Sequence, residues 1–284
     1  WWPILAILLV GGKVCINRKP DLDMIFKLIE DEKCTHMNLV PTIYGWMVDY
    51  PNVEKYDLSS LRLLSYAGSP FPVEVLKKCI KKFGNKFGQG YGATETAGAA
   101  IAALGWYDHH LEGPRSKYLA SAGKPAPTGR VKIVDENDQT LGPVQYGEIC
   151  AKGEHIMQGY WKNPKLTAEV LKGGWYHTGD MGYMDEDGYL WHAGRFKRFA
   201  KVGGEMISLV RVENVLEKIL PEGVSCCVVE VPDESRGSYI VAAVSGEVNK
   251  THVLRAMMEE LPVISLPREF IVINDLPMMG SGKI

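Results

Sequence analysis

The stretch Trp175–Glu205, WYHTGDMGYMDEDGYLWHAGRFKRFAKVGGE, decides how the chain is interpreted. Asp180 lies in a TGD tripeptide, and Arg195 follows 15 residues later. A short carboxylate suits a vicinal ribose diol, and a guanidinium fork suits a phosphate. The plainer alternatives are a turn-capping role for Asp180 and a surface ion pair of Arg195 with Asp185 or Glu186. The stretch therefore predicts a ligand that carries both a ribose and a phosphate.

The composition is that of a globular protein rather than a nucleic-acid-binding one. The chain has 284 residues, of which 46% are hydrophobic and 23% charged, and its net charge is −2. Nucleic acid as the main partner would favour a basic surface. The first residues, WWPILAILLVGG, are apolar over only about half the ~20 residues that a membrane span needs. We expect a cytoplasmic protein and leave peripheral membrane association and oligomeric state open.

The cysteines predict reduced thiols. None of the six forms a CxxC pair, and none has the spacing to histidine that is typical of zinc sites. We therefore expect neither a disulfide framework nor a zinc site.

Strands and helices alternate in the first part of the chain, which indicates α/β layering. Apolar residues recur at helical spacing over 21–32 and 72–83, while 36–40 and 61–67 are typical of buried strands. Residues 88–98, GQGYGATETAG, are rich in glycine and threonine and predict a shaped loop.

The pattern then changes to short strands, and later to a separate α+β unit that begins after Gly194-Arg195. In that unit Ser208 is placed to cap a helix. The fold prediction is a large domain over residues 1–193, with an α/β layer over 1–120 and a β-rich subdomain over 121–193, followed by a small α+β domain over 194–284.

Two further motifs suggest phosphate chemistry. In Tyr91–Thr96, YGATET, glycine allows close backbone approach, the aromatic ring offers a face to a base, and Thr94 and Glu95 suit phosphate and Mg²⁺. An ordinary turn explains the same composition. Lys283 lies in the glycine-flanked GSGK, where a mobile ammonium would offset charge that develops at a phosphoryl group.

Taken in order, these blocks resemble the adenylate-forming ligase superfamily, which includes acyl-CoA synthetases and luciferases. The segments GRFKRFAKVGGEMISL and PMMGSGK are most similar to the corresponding segments of acyl-acyl-carrier-protein synthetases. The resemblance covers essentially the whole chain, and the blocks that carry it are VPTIY (40–44), SYAGSPF (65–71), GYGATETAG (90–98), GEICAKGEHIMQGYWKNPKLTAEVL (147–171), GGWYHTGDMGYMDEDGYL (173–190), GRFKRFAKVGGEMIS (194–208) and GSGK (280–283).

The resemblance implies an ATP-dependent acid–thiol ligase. A fatty or related carboxylic acid would form acyl-AMP, and the thiol of CoA or of a carrier protein's phosphopantetheine would then displace AMP. The resemblance implies a role for each candidate site residue. The adenine and acyl pocket would be lined by Gly68, Ser69, Gly90, Tyr91 and Gly92, with Tyr91 against the base. Thr94 would contact the α-phosphate and Glu95 the Mg²⁺. Asp180 would hold the ribose hydroxyls, and Arg195 would support ribose or phosphate. Lys283 would bridge the attacking carboxylate and the α-phosphate, and the pantetheine tunnel would be lined by Gly203, Gly204 and Glu205. The resemblance also implies that the small domain over 194–284 is mobile.

The chain differs from the family pattern in two features. The family's pivot residue is usually Asp or Lys, and here it is Gly194, which predicts a more permissive hinge. The family's Ser/Thr/Gly-rich phosphate loop would lie before Trp1, so we expect this C-terminal portion alone to be inactive. The alternative is a fragment that only binds AMP or docks a carrier protein through its basic run, which includes Arg198 and Lys201.

Overall fold

A computed structural model describes residues 2–195, 198–221, 223–233 and 237–273. The helices run over Trp2–Leu9 (α1), Leu22–Glu32 (α2), Pro41–Val48 (α3), Val73–Phe83 (α4), Pro164–Val170 (α5), Leu209–Ile219 (α6) and Lys250–Met257 (α7). The strands run over His36–Leu39 (β1), Leu63–Ala67 (β2), Phe87–Ala93 (β3), Gly98–Leu104 (β4), Lys124–Pro125 (β5), Gly129–Val134 (β6), Gly147–Gly153 (β7), Leu171–Lys172 (β8), Trp175–Met184 (β9), Leu190–Arg195 (β10), Phe199–Val202 (β11), Glu205–Ser208 (β12), Cys226–Asp233 (β13), Gly237–Val244 (β14) and Glu269–Val272 (β15).

The chain divides into two compact units, which are described separately. The first comprises residues 1–178 and 182–192, and the second comprises 179–181 and 193–284. The α/β fold with several sheets confirms the predicted fold class. Among the residues that the structure describes, no helix is both long and apolar enough to cross a membrane.

The first unit contains a five-stranded sheet in the order β1-β2-β3-β4-β5. β1, β2 and β3 are parallel, whereas β4 and β5 are antiparallel to their neighbours. Helix α2 begins as predicted, because the Asp21 side chain accepts a hydrogen bond from Met24 N–H at 2.9 Å and so caps its first turn. Its apolar stripe of Ile25, Phe26 and Ile29 is buried against this sheet's core.

A second sheet follows the order β10-β9-β7-β6, and β8 pairs with β9. The predicted short strands of this part of the chain include β6 and β7, which are antiparallel. The turn between them is held by Asp135, whose carboxylate accepts hydrogen bonds from the backbone N–H groups of Asn137 and Gln139. This sheet supplies the apolar core around Ile133, Ile149 and Leu190.

In the second unit, β13, β14 and β15 form a sheet that packs with α6 and α7 around one apolar core. Ser208 caps α6 as predicted, since its hydroxyl accepts a hydrogen bond from Arg211 N–H at 3.3 Å. Val212, Val215 and Leu216 form the buried stripe of α6. The predicted α+β character of this part of the chain is therefore present.

A buried histidine ties β2 of the first unit to the segment after β4. His109 is 2% exposed, its Nδ1 lies 2.8 Å from the carbonyl oxygen of Gly105, and its Nε2 lies 3.0 Å from the hydroxyl oxygen of Tyr66. Nδ1–H donates to Gly105, so Nε2 accepts from Tyr66 and the ring is neutral. Burial lowers the pKa of His109 below its ordinary value, because the charged ring would lose its hydration.

This histidine predicts a loss of stability in mild acid. Because the folded-state pKa is lowered, its contribution is fully present above the unfolded pKa of about 6.5 and is lost as the pH falls below it. Glutamine can still accept and donate hydrogen bonds but does not titrate. As the pH falls from about 7 to about 5, we therefore expect the free energy of unfolding to decrease less in His109→Gln than in wild type. Urea denaturation at each pH measures this. His36→Gln, at an exposed position, is the control, and equal pH slopes in all three proteins would contradict the assignment.

Candidate functional site

The carboxyl ends of β2 and β3 bring together two segments that the sequence predicts to bind a ligand. Ala67 pairs with Gly90 across the parallel strands, so Gly68-Ser69 and Gly90–Gly92 lie side by side at one edge. Gly68 has φ +87°, which a residue with a side chain rarely adopts. In open α/β sheets this edge is where ligands usually bind.

The predicted loop over 88–98 is wrong in its first half. Residues up to Ala93 form β3, and Thr94–Thr96 then make one 3-10 turn before β4 begins at Gly98. The neighbouring strands β2 and β4 supply the hydrogen bonds that a glycine-rich segment needs to stay extended, and local composition does not reveal those partners. The register between β3 and β4 shifts between Tyr91 and Ala93.

The 3-10 turn is fixed by Thr96, a residue that the sequence reasoning did not select. Thr96 is 0% exposed; its Oγ1 accepts a hydrogen bond from Ala93 N–H at 2.9 Å and lies within 3.0 Å of the carbonyl oxygens of Ala93 and Gly98. Its one hydroxyl proton serves one of these two carbonyls. Thr94, two residues earlier, is exposed. The turn therefore buries one threonine as an anchor and presents the other.

The Glu95 carboxylate is half-buried and is held by a residue 65 positions along the chain. Tyr160 O–H donates to Glu95 Oε1 at 2.6 Å, and the Glu95 carbonyl accepts from Met157 N–H at 2.8 Å. Tyr160 is positioned in turn by Thr167 of α5, whose Oγ1 accepts from Tyr160 N–H at 2.9 Å. Tyr160 lies within the motif block 147–171 that resembles the ligase superfamily, but only the fold reveals its contact with Glu95.

Tyr91, the predicted base-stacking residue, is half-buried. Its ring centroid lies 5.5 Å from that of His192, with the two planes at 52°. It packs at the rim of the core that contains Ile149 and Leu190.

Asp180 and Arg195, which are distant in the sequence, form an ion pair in the second unit. Arg195 Nε lies 3.0 Å from Asp180 Oδ1; the Asp180 side chain is 10% exposed and that of Arg195 is 64% exposed. The alternative partner Asp185 accepts hydrogen bonds from Tyr189 N–H and Trp191 Nε1–H within its own turn. The arrangement joins a buried carboxylate to an exposed guanidinium.

Gly203 and Gly204 form the two-residue turn between β11 and β12. Val202 pairs with Glu205, and the two glycines have φ +57° and +89°. Two consecutive positive φ values match the turn that suits the twist of a hairpin and that strongly favours glycine. Hairpin geometry thus accounts for both glycines, and a role in binding pantetheine stays a prediction. The predicted catalytic Lys283 lies outside the described residues.

Arg198 has a structural role within the second unit. Its guanidinium pairs with Glu213 of α6, and the Arg198 side chain is 33% exposed. Glu213 in turn accepts a hydrogen bond from Val228 N–H at 2.7 Å. Arg198 is therefore part of the domain's own packing, which weakens its case as a docking residue.

Comparison with known proteins identifies the sequence family. The model of the family described as AMP-binding enzyme matches residues 1–161, and that of the AMP-binding enzyme C-terminal domain matches residues 211–283. The indoleacetate–CoA ligase of Aromatoleum aromaticum is 34% identical over 96% of this chain and 53% of its own length. The fatty acid–[acyl-carrier-protein] ligase ScoC of Streptomyces coeruleorubidus is 34% identical over 90% of this chain and 49% of its own length.

A solved structure extends the likeness to three dimensions. The o-succinylbenzoate CoA synthetase of Bacillus subtilis, in complex with its acyl-adenylate intermediate, matches with a TM-score of 0.84 at 26% identity, over 99% of this chain and 56% of that one. The chain spans about half the length of the curated relatives it matches.

Substitutions of the two threonines in the 3-10 turn are expected to differ in their effect on stability. We expect Thr96→Ala to lower the free energy of unfolding by about 1–3 kcal/mol, because it leaves buried backbone groups without their partner. Thr94→Ala, its matched control at an exposed position, is expected to stay within about 0.5 kcal/mol of wild type. Urea denaturation followed by tryptophan fluorescence measures both, and equal effects of the two substitutions would refute the anchoring role of Thr96.

Proposed function

This chain belongs to the AMP-binding enzyme family of adenylate-forming ligases, and from that premise we propose that the protein joins a carboxylic acid to a thiol in a reaction driven by ATP. In the first step a carboxylate oxygen attacks the α-phosphorus of ATP, and the bond to pyrophosphate breaks. In the second step a thiol sulfur attacks the acyl carbon, the thiol proton is released, and AMP leaves. The products are a thioester, AMP and pyrophosphate.

The observation that carries this proposal is the edge formed by Gly68, Gly90 and the turn at Thr94–Thr96. Backbone turns at the carboxyl ends of parallel strands leave room for a nucleotide, and the exposed Thr94 hydroxyl is available for the α-phosphate. The turn is pre-organised, because the buried Thr96 hydroxyl holds its backbone through a hydrogen bond from Ala93 N–H. Pre-organised donors stabilise developing charge more effectively than mobile ones.

Glu95 fits the Mg²⁺ that the family implies. Its carboxylate is held by the Tyr160 phenol, a neutral donor that orients it without cancelling its charge. Mg²⁺ prefers carboxylate and phosphate oxygens, and when bound it would neutralise charge on the ATP phosphates. The role of Tyr160 is then to hold Glu95 at the site.

Asp180 is proposed to accept hydrogen bonds from the ribose hydroxyls. Its ion pair with Arg195 supports this assignment, because the guanidinium orients the carboxylate, and because the Arg195 side chain is 64% exposed, as contact with a phosphate requires.

We propose that the acid is a fatty or related carboxylic acid, and that the thiol belongs to phosphopantetheine, carried by CoA or by an acyl carrier protein. The named relatives act on indoleacetate with CoA and on fatty acids with acyl carrier protein. They therefore support the type of reaction, and they do not single out one substrate. The Gly203-Gly204 hairpin is the proposed contact for the pantetheine arm.

Residues 194–284 are proposed to move as one small domain during the two steps. Gly194, the proposed pivot, has φ +122°, a backbone conformation that glycine adopts far more readily than other residues. This supports a hinge at that position.

Binding of AMP tests the nucleotide site directly. We expect calorimetry on the chain to detect one equivalent of AMP, and Asp180→Asn to weaken its affinity about 10-fold to 100-fold, because a hydrogen bond to a charged group contributes about 1.5–3 kcal/mol. Asp31→Asn, which changes an exposed carboxylate on α2, is the control. If Asp180→Asn and the control bind AMP as tightly as wild type does, the ribose role is wrong.

Lys283 tests the reaction itself, in the full-length gene product. We expect Lys283→Ala to reduce exchange of labelled pyrophosphate into ATP by roughly 100-fold or more, because a positioned charge is lost from the adenylation step. The same variant should still form thioester from supplied acyl-AMP. Lys165→Ala, at an exposed position on α5, should change neither half-reaction. Equal loss of both half-reactions would contradict the role of Lys283, and absence of exchange with every carboxylic acid tried on the wild type would defeat the proposed function.

A further inference from the structure

Three side chains that suit a transition metal converge between β7 and β9 of the first unit. Glu148 and Cys150 are two residues apart on β7 and so project from the same face, and His177 comes from the neighbouring strand β9. Cys150 is 0% exposed and His177 is 7% exposed. Neither the proposed ligase reaction nor the nucleotide site uses any of them.

Their ligand atoms are close enough to share one ion. His177 Nδ1 lies 2.8 Å from Glu148 Oε2 and 3.5 Å from Cys150 Sγ, and one ligand atom from each residue lies within 4.8 Å of the others. Bond lengths of about 2.0–2.3 Å to tetrahedral Zn²⁺ place its ligand atoms roughly 3.3–3.8 Å apart. The cluster therefore needs adjustments of about 1 Å or less to reach that geometry.

We propose that Glu148, Cys150 and His177 bind one Zn²⁺ ion, with water in the fourth position. A thiolate, an imidazole and a carboxylate together favour Zn²⁺ over Mg²⁺ or Ca²⁺, which take oxygen ligands. One carboxylate and one thiolate also balance the charge of a divalent ion, and a buried site of this kind requires that balance.

A second carboxylate, that of Asp138, lies near the proposed ligand His177. Asp138 Oδ1 lies 3.8 Å from His177 Nε2, the ring nitrogen that faces away from the cluster. Carboxylates commonly orient a metal-binding histidine through its second nitrogen. Lys132 is the register partner of Cys150, and its ammonium lies over the Trp175 ring, 4.8 Å from the ring centroid.

The site would be structural, because it joins two strands of one sheet through side chains. Without a metal, the same residues form a buried histidine–carboxylate pair, in which Nδ1–H donates to Glu148. The sequence predicted no zinc site because its ligands are spread over 30 residues and share no recognised spacing.

Cobalt substitution tests the proposal, because Co²⁺ replaces Zn²⁺ and reports a thiolate ligand by a charge-transfer band. After removal of metals with a chelator, we expect the full chain under reducing conditions to bind one equivalent of Co²⁺ with such a band, and Zn²⁺ to displace it. Cys150→Ser should abolish the band, and Glu148→Gln should weaken Co²⁺ binding by roughly 10-fold or more.

Two other cysteines provide matched controls. Cys79→Ser changes a cysteine that is also 0% exposed but lies in the core that contains Ile25, Phe26 and Ile29, and Cys34→Ser changes a half-buried one; both should keep the band. Absence of the band in the wild type, or its persistence in Cys150→Ser, would overturn the proposal. Should Cys150→Ser fail to fold, an unchanged Co²⁺ affinity in Glu148→Gln would overturn it as well. AMP binding is measured on the same preparations, so failure of the metal site is distinguishable from failure of the nucleotide site.

Discussion

The parallel pairing of β2 with β3 is the constraint on which the candidate nucleotide site depends. It sets Ala67 opposite Gly90, and every residue that follows either strand is placed by that register. Gly68 turns the chain at one strand end, and the Thr94–Thr96 turn closes the other. A slip of one residue would reverse which side chains face the core, so the register that buries the sheet also positions the site.

Polar side chains that the sequence does not single out, or that lie far along the chain, hold the candidate site residues in place. Thr96 anchors the turn that presents Thr94, and Tyr160 holds Glu95 from a distant part of the chain. In the second unit Arg195 plays the corresponding part for Asp180. Each supporting group satisfies a polar atom that would otherwise be costly to bury, so stability and positioning come from the same hydrogen bonds.

The proposed metal cluster illustrates how strand pairing creates chemistry that spacing does not reveal. Glu148 and Cys150 share a face of β7 by simple alternation, which a sequence can indicate. His177 joins them only because β9 lies beside β7 in the sheet. The cysteine spacing leads us to expect no zinc site, but that spacing has no bearing on ligands that come from two strands.

From the sequence alone, amphipathic periodicity determined helices such as α2 and α6, and Ser208 was identified as the cap of α6, since both signals are local. The ordered motif blocks also determined the family, because they are read without coordinates. Tertiary structure alone decided that glycine-rich residues 88–93 form a strand, and that Tyr160 meets Glu95. The physical reason is that strand formation and side-chain contacts of this kind depend on partners distant in the chain, whereas helix periodicity and capping depend on neighbours within a few residues.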